Sequence, residues 1–156
     1  MGKEDFIRAL EQICSIVGLE ITMLGKLDNG IAQGNIQFEN ENILVKFDTE
    51  KEVPLMADFN ILAQQLKNLL SYFNVNDYKI LVHDISCQIV CDIYQQLDMT
   101  EQELKMECDT FRKNMTLKSI EIFPNGFMLI YDIKFDKEQL FVQLSTSYSI
   151  EEIMIN

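Results

Sequence analysis

A strand pattern that occurs once in each half of the chain constrains the fold more than any other feature. Residues 29–48, NGIAQGNIQFENENILVKFD, and residues 125–145, NGFMLIYDIKFDKEQLFVQLS, both begin with Asn-Gly and then alternate apolar and polar residues. An Asn-Gly pair tolerates positive φ and favours a tight turn, and alternation with a period of two is typical of a half-buried strand. Both segments are therefore predicted to form antiparallel meanders.

The similarity of the two segments extends to the helix that precedes each of them. Four apolar strand positions recur at one constant offset: Ile36, Phe38, Ile43 and Val45 correspond to Ile133, Phe135, Leu140 and Val142. A helical stripe recurs in the same way: Phe6, Leu10, Ile13 and Val17 correspond to Leu104, Cys108, Phe111 and Met115. An α-β-β-β-α unit is therefore predicted over residues 4–73 and again over 100–156, with residues 74–99 as an insertion. Since strand alternation is generic, internal duplication and chance similarity both stay open.

The alternating runs also define the individual strands and turns. The predicted strands cover residues 19–23, 31–38, 43–48, 117–123, 127–135 and 140–145. Turns are predicted at Asn29–Gly30, at the polar residues 39–42, and at Asn125–Gly126. Each meander should therefore present one apolar face and one wet face.

A long helix is predicted between the two meanders, because apolar residues recur there every three or four positions. Its stripe comprises Leu55, Phe59, Leu62, Leu66, Leu69, Leu70 and Phe73. Residues 78–83, YKILVH, are interpreted as a central strand because they are apolar on both faces. Residues 84–97 fit a strand and a helix equally well, and periodicity alone leaves both open.

Two capping boxes predict further helices. Thr100 with Glu103 should open a helix, and Ser149 with Glu152 should open a short terminal helix. Together these elements predict a single α+β domain over residues 1–156, with antiparallel meander sheets and helices packed on one face. A chain of 156 residues and 18.2 kDa is within the usual size of one domain.

The composition is that of an ordinary globular protein, with 47% hydrophobic and 24% charged residues. No run of about 18 apolar residues is present to span a membrane. The N-terminus is acidic and amphipathic where a secretory signal would be basic and then apolar, so a cytoplasmic location is predicted. The four cysteines have irregular spacing and are expected to be reduced thiols.

The net charge limits the choice of partner. The chain has 25 acidic and 13 basic residues, which gives a formal charge of −12. This charge repels nucleic acids and anionic lipids and attracts basic surfaces, so we predict a basic protein partner, no direct nucleic-acid binding and no membrane binding. An acidic charge that serves solubility alone is the competing interpretation.

The carboxylates that could contact such a partner lie in two parts of the sequence. The first group is Glu39, Glu41, Asp48, Glu50 and Glu52, and the second is Asp98, Glu101, Glu103, Glu107 and Asp109. A basic protein could recognise them as it recognises closely spaced phosphates. They could equally be solvated turns and the outer face of a helix.

Nucleophilic and zinc chemistry find little support in the sequence. The single histidine, His83, is not near a nucleophile motif such as G-x-S-x-G, and the chain has no phosphate-binding loop or H-E-x-x-H motif. His83, Cys87 and Cys91 are four residues apart, and zinc accepts such ligands, with Asp84 or Cys108 as a fourth. Buried, inert thiols are the more common arrangement. No cofactor is predicted.

A metal-dependent hydrolase is the alternative from a different functional class. Asp132 and Lys134 form an acidic-x-Lys triplet on a predicted strand, and Glu121 and Asp136 are nearby in the sequence. A magnesium nuclease uses such carboxylates to hold metal and a lysine to orient water. The parity of Asp132 and Lys134 is that of the solvent face of the strand, where charges are ordinary.

We therefore predict a non-enzymatic acidic interaction module: an inhibitor, immunity protein or escort chaperone for a basic or partly unfolded protein. Its contacts would be an acidic rim with an exposed strand edge or apolar groove. The alternatives are the hydrolase that uses Asp132, Lys134 and Glu121, and a structural subunit of a larger assembly.

The order of a helix, a three-strand meander and a long helix is similar in outline to that of type III secretion chaperones. This resemblance is one of element order over the first half of the chain. It implies a homodimer built through a helix or strand, with Phe59, Leu66, Leu70 and Phe73 as the residues of interest.

Overall fold

The computed structural model describes residues 8, 22–23, 31–73, 77–94, 100–134 and 137–156. The strands are β1 (Thr22–Met23), β2 (Ile31–Phe38), β3 (Glu41–Asp48), β4 (Met115–Phe123), β5 (Gly126–Ile133), β6 (Gln139–Ser145) and β7 (Ile150–Ile155). The helices are α1 (Met56–Phe73), α2 (Asp77–Tyr94) and α3 (Glu101–Lys113). This architecture confirms the predicted α+β class.

The seven described strands form one sheet in which spatial order follows chain order. Every neighbouring pair is antiparallel except β3 and β4, which are parallel. A parallel pair requires a long crossover connection, and α1, α2 and α3 together form it. The two meanders are therefore joined side by side at the centre of the sheet.

One face of the sheet carries the core. A row of paired residues on this face runs across five strands: Gly34, Val45, Ile120, Leu129 and Val142. All five are buried, and together with the buried faces of the helices the apolar strand residues form one hydrophobic cluster. The predicted alternation of buried and wet positions is therefore confirmed in both meanders.

Helix α1 confirms the predicted long helix. Its buried stripe comprises Phe59, Leu62, Leu66, Leu69, Leu70 and Phe73. The prediction for Leu55 is wrong, because this side chain is 67% exposed. The backbone N–H of Leu55 donates to the Asp58 carboxylate at 2.7 Å, which caps the helix and places Leu55 before its first turn. The four residues named from the chaperone resemblance, Phe59, Leu66, Leu70 and Phe73, lie in the core.

Residues 78–83 form the first half of α2, so the strand interpretation is wrong. Tyr78, Leu81, Ile85 and Ile89 are buried at a spacing of three or four residues, whereas Ile80 is 56% exposed. The helical period therefore decides which apolar side chains reach the core, and local β propensity does not. The ambiguous segment 84–97 is helical as far as Tyr94, and its last three residues lie outside the described ranges.

The predicted terminal helix is also wrong, because residues 150–155 form β7 and pair with β6. Ser149 does not cap a helix. Its backbone N–H donates to the Ser145 Oγ at 3.1 Å, and its carbonyl accepts from the Ser145 N–H at 2.9 Å, so it closes the β6–β7 turn. The capping box at Thr100 is confirmed on its hydroxyl side, since Thr100 Oγ1 accepts from the Glu103 N–H at 3.1 Å.

The hairpin turns differ in detail from the prediction. Strand β2 passes to β3 through Glu39 and Asn40 alone, with φ of 50° and 63°, and Glu41 and Asn42 already belong to β3. The β4–β5 turn consists of Pro124 and Asn125, because Phe123 and Gly126 are a strand pair. The Asn29–Gly30 turn lies outside the described residues, and so does the helix predicted over residues 4–17 except for Arg8.

Gly126 has a different role from the one predicted for it. Asn125, the residue before it, does not have a positive φ. Among the described non-glycine residues, φ is positive at Glu39, Asn40, Glu50 and Tyr148. A Cβ at Gly126 would overlap the backbone carbonyl oxygen of Leu144 in β6. Glycine is therefore required here by the close approach of a neighbouring strand, and not by the conformation of a turn.

Strands β2 and β3 and strands β5 and β6 are hairpins at equivalent places in the two meanders, and internal duplication stays a prediction. Within the described ranges, no helix is long and apolar enough to cross a membrane.

Candidate functional site

A cavity of about 670 Å³ lies where the β2–β3 turn, the start of α2 and the start of β4 meet. Its apolar lining comprises Phe38, Ile43, Val82, Met115 and Leu117. Its charged lining comprises Glu39, Glu41, Lys79 and Arg112. The cavity thus combines an apolar interior with charged groups of both signs.

The floor of the cavity is formed by two buried tyrosines. The hydroxyls of Tyr78, on α2, and Tyr131, on β5, are 3.2 Å apart and hydrogen-bonded to each other. Burial raises the pKa of Tyr78 to about 12, although its hydrogen bond to Tyr131 acts in the opposite direction. Burial also raises the pKa of Tyr131 well above its usual value. Both phenols are therefore neutral at physiological pH and available as hydrogen-bonding groups.

Aromatic packing fixes one wall of the cavity. The ring of Phe38 lies edge-on to Tyr78, with centroids 5.1 Å apart, and it lies 5.5 Å from Phe73 in α1. Phe73 in turn contacts Tyr78 at 4.4 Å. These separations are those of favourable aromatic pairs, so the last residue of β2 is held against two helices. The β2–β3 turn that follows is thereby positioned beside the cavity.

Glu39 and Glu41 flank the mouth of the cavity. Both side chains are exposed, and neither forms an ion pair with another described residue. Burial is the main cause of the raised pKa of both Tyr78 and Tyr131, and the charge of Glu39 adds a smaller contribution in the same direction. Two of the predicted partner-binding carboxylates therefore belong to this site.

The two cations at the cavity differ in their surroundings. Arg112 Nη2 lies 3.3 Å from the Asp109 carboxylate one turn earlier in α3. Lys79, in the first turn of α2, is exposed and has no carboxylate within ion-pair distance in the described part of the chain. The positive charge of Arg112 is thus partly offset, whereas that of Lys79 is not.

The other carboxylates of the first predicted group lie elsewhere. Asp48 is at the opposite end of β3 from Glu41, about 23 Å away at roughly 3.3 Å per residue. Its carboxylate accepts a hydrogen bond from the Glu50 N–H at 2.9 Å, which stabilises the local turn. Glu50 and Glu52 are exposed beyond that turn. The structure therefore divides this group between the two ends of one hairpin.

The described carboxylates of the second predicted group lie along α3. Glu101 and Glu103 occupy its first turn, where negative charge stabilises the helix dipole. They lie about 14–17 Å along the helix axis from Arg112, at roughly 1.5 Å per residue. Glu107 is half-buried and Asp109 pairs with Arg112, while Asp98 lies outside the described residues. The predicted acidic residues thus do not form one continuous rim.

The residues proposed for metal-dependent hydrolysis are not brought together. Glu121 lies 3.9 Å from Lys46 and is paired with Met128, about 13 Å along β5 from Asp132 at roughly 3.3 Å per residue. Asp132 accepts a hydrogen bond from Gln139 at 2.9 Å. Asp132 and Lys134 do line one depression of about 730 Å³, but Glu121 is not part of it.

The cysteine and histidine cluster is only partly assembled. Cys87 Sγ lies 3.5 Å from His83 Nε2, one turn away in α2. Burial, together with Cys87, raises the pKa of the Cys108 thiol to about 12. Cys91 is exposed. Among the described residues no three His, Cys, Asp or Glu side chains are grouped as a metal site would require.

Comparisons of the chain with protein-family models, with curated proteins and with solved structures find no match. The site therefore has to be interpreted from its own chemistry. Charge alone indicated Glu39 and Glu41 in the sequence. Tyr78 and Tyr131 were not indicated, because they are 53 residues apart and no local pattern connects them.

Proposed function

We propose that this chain is a non-enzymatic, acidic interaction module that binds a basic protein segment at the mouth of the tyrosine-floored cavity. The roles proposed within this class are those of an inhibitor, an immunity protein or an escort chaperone. The observation that carries the proposal is the placement of Glu39 and Glu41, both without ion pairs among the described residues, beside a cavity with aromatic walls.

The chemistry of this placement suits a lysine or arginine side chain. Such a cation is attracted to the face of an aromatic ring, and the half-buried Phe38 lines the cavity. The carboxylates of Glu39 and Glu41 would neutralise its charge as it leaves water. The net charge of −12 would also accelerate the approach of a basic partner at low salt.

A capped, glycine-spaced arginine peptide tests this proposal. Binding to the full chain is measured by calorimetry for the native protein, for Glu39→Gln/Glu41→Gln, and for Glu50→Gln/Glu52→Gln. The two double variants have the same net charge, but only the first alters the cavity mouth.

We expect the Glu39/Glu41 variant to bind about five- to thirtyfold more weakly, because it removes two exposed charge pairs of roughly 0.5–1 kcal/mol each. The Glu50/Glu52 variant should bind nearly as tightly as the native chain. Equal weakening by both variants would refute a specific site, because it would show that the peptide responds only to total charge.

A further inference from the structure

Strand β7 is an edge of the sheet. It pairs with β6 through five residue pairs from Ile150 to Ile155, and no other described strand lies on its second side. Its outward N–H and C=O groups therefore have no partner within the described sheet. A row of such groups is the template on which an extended peptide adds a strand.

The side chains of β7 determine which kind of peptide could pair with this strand. Met154 and Ile155, at its end, are 45% and 42% exposed, although both are large and apolar. Glu151 and Glu152, at its start, are exposed carboxylates. An added strand would therefore meet negative charge at one end of β7 and apolar surface at the other.

We propose that β7 accepts an extended basic segment of the partner as an additional strand of the sheet. The segment would place a lysine or arginine beside Glu152 and an apolar residue beside Met154, since cross-strand neighbours of opposite charge or shared apolarity are favourable. This inference rests on the proposed function for the basic character of the partner, and it adds that the bound segment is extended.

Charge argues against a second copy of the chain as the occupant. Two copies joined at β7 would bring together two molecules of charge −12. Association of two molecules with the same charge is opposed by their mutual repulsion. A basic segment would instead be attracted to the negative charge of the chain.

Two capped hexapeptides of the same composition test the inference. One alternates lysine and valine, so that in a strand its lysines share one face and its valines the other. The other peptide has its lysines and valines in separate blocks. Each is added to the full chain, and amide hydrogen exchange of β7 is followed together with the binding constant. Glu152→Lys is compared with Glu138→Lys, an equal change of charge at an exposed position outside β7.

We expect the block peptide to slow exchange of the outward β7 amides at least tenfold and to bind more tightly than the alternating peptide. Glu152 and Met154 lie on one face of β7, so only the block peptide can place lysine beside the first and valine beside the second. Glu152→Lys should abolish that preference and Glu138→Lys should keep it. Equal binding of the two peptides, or protection confined to residues around Tyr78, would overturn the inference while leaving the cavity site intact. Protection of β7 without peptide, in a sample that sediments as a dimer, would also overturn it.

If neither peptide binds the native chain, then both the inference and the proposed function fail.

Discussion

The hydroxyl pair at the cavity floor gives the sharpest prediction about the stability of this fold. Tyr131 is 1% exposed and Tyr78 is 7% exposed, and each hydroxyl is 3.2 Å from the other. Tyr131→Phe removes one hydroxyl and leaves that of Tyr78 buried without its partner. An unsatisfied buried hydroxyl costs about 1–3 kcal/mol, so the free energy of unfolding should fall by that amount.

The double variant separates the hydrogen bond from the packing of the rings. Tyr78→Phe should cost a similar amount, because it leaves the hydroxyl of Tyr131 unpaired. In the variant with both replacements no hydroxyl remains unpaired, so the loss should be smaller than the sum of the single losses by about 1–3 kcal/mol.

Urea unfolding followed by far-ultraviolet circular dichroism measures these free energies without relying on tyrosine emission. A loss of this size is readily measured against a total stability of about 5–15 kcal/mol. If the two single losses add to within about 0.5 kcal/mol of the double loss, the hydroxyls do not interact and this account of the cavity floor is wrong.

Two further predictions concern one glycine and alkaline pH. Gly126→Ala should destabilise the chain by about 1–3 kcal/mol in urea unfolding, because the new methyl group meets the Leu144 carbonyl oxygen. The control, Asn125→Ala in the exposed turn, should change stability little. Equal effects of the two substitutions would refute the close approach of β6 to Gly126. In the folded chain the pKa of Tyr78 is raised from 10.0 to about 12. Its contribution to stability is therefore complete below pH 10 and is lost as the pH rises toward 12, and the total loss is about 3 kcal/mol. Unfolding measured across this range should therefore show falling stability that Tyr78→Phe makes shallower, and an unchanged slope in that variant would contradict the assignment.

Elements whose signal is short-range were predictable from the sequence. The alternation of Ile43, Val45 and Phe47 and the stripe from Phe59 to Phe73 repeat over several turns or strand pairs, so each is supported by many positions. Both were confirmed. The two elements that were predicted wrongly, residues 78–83 and the terminal helix, rested on signals of only a few residues.

Pairing between strands decided the elements that the sequence patterns did not indicate. Residues 150–155 satisfy their backbone groups on β6, and this hairpin pairing outweighs the capping box that Ser149 and Glu152 suggested. The parallel pairing of β3 with β4 likewise depends on the path of three helices. No local pattern reports where such a crossover returns.

The candidate site was predictable only in its charges. Glu39 and Glu41 were identified because carboxylates are visible in composition, but their separation from Asp48 and Glu50 depends on the length of β3. The tyrosine pair depends on α2 being a helix, since Tyr78 reaches Tyr131 from that helix. Because a strand was predicted at residues 78–83, the contact of Tyr78 with Tyr131 was not predicted.

The most direct test of the central claim compares two single charge changes of opposite sign at the cavity mouth. Glu39→Gln and Lys79→Gln are each titrated with the glycine-spaced arginine peptide at low salt. A cationic occupant predicts that the first variant binds about two- to fivefold more weakly and that the second binds more tightly by a similar factor. The opposite signs, or no change in either variant, would contradict the claim that this cavity receives a basic side chain.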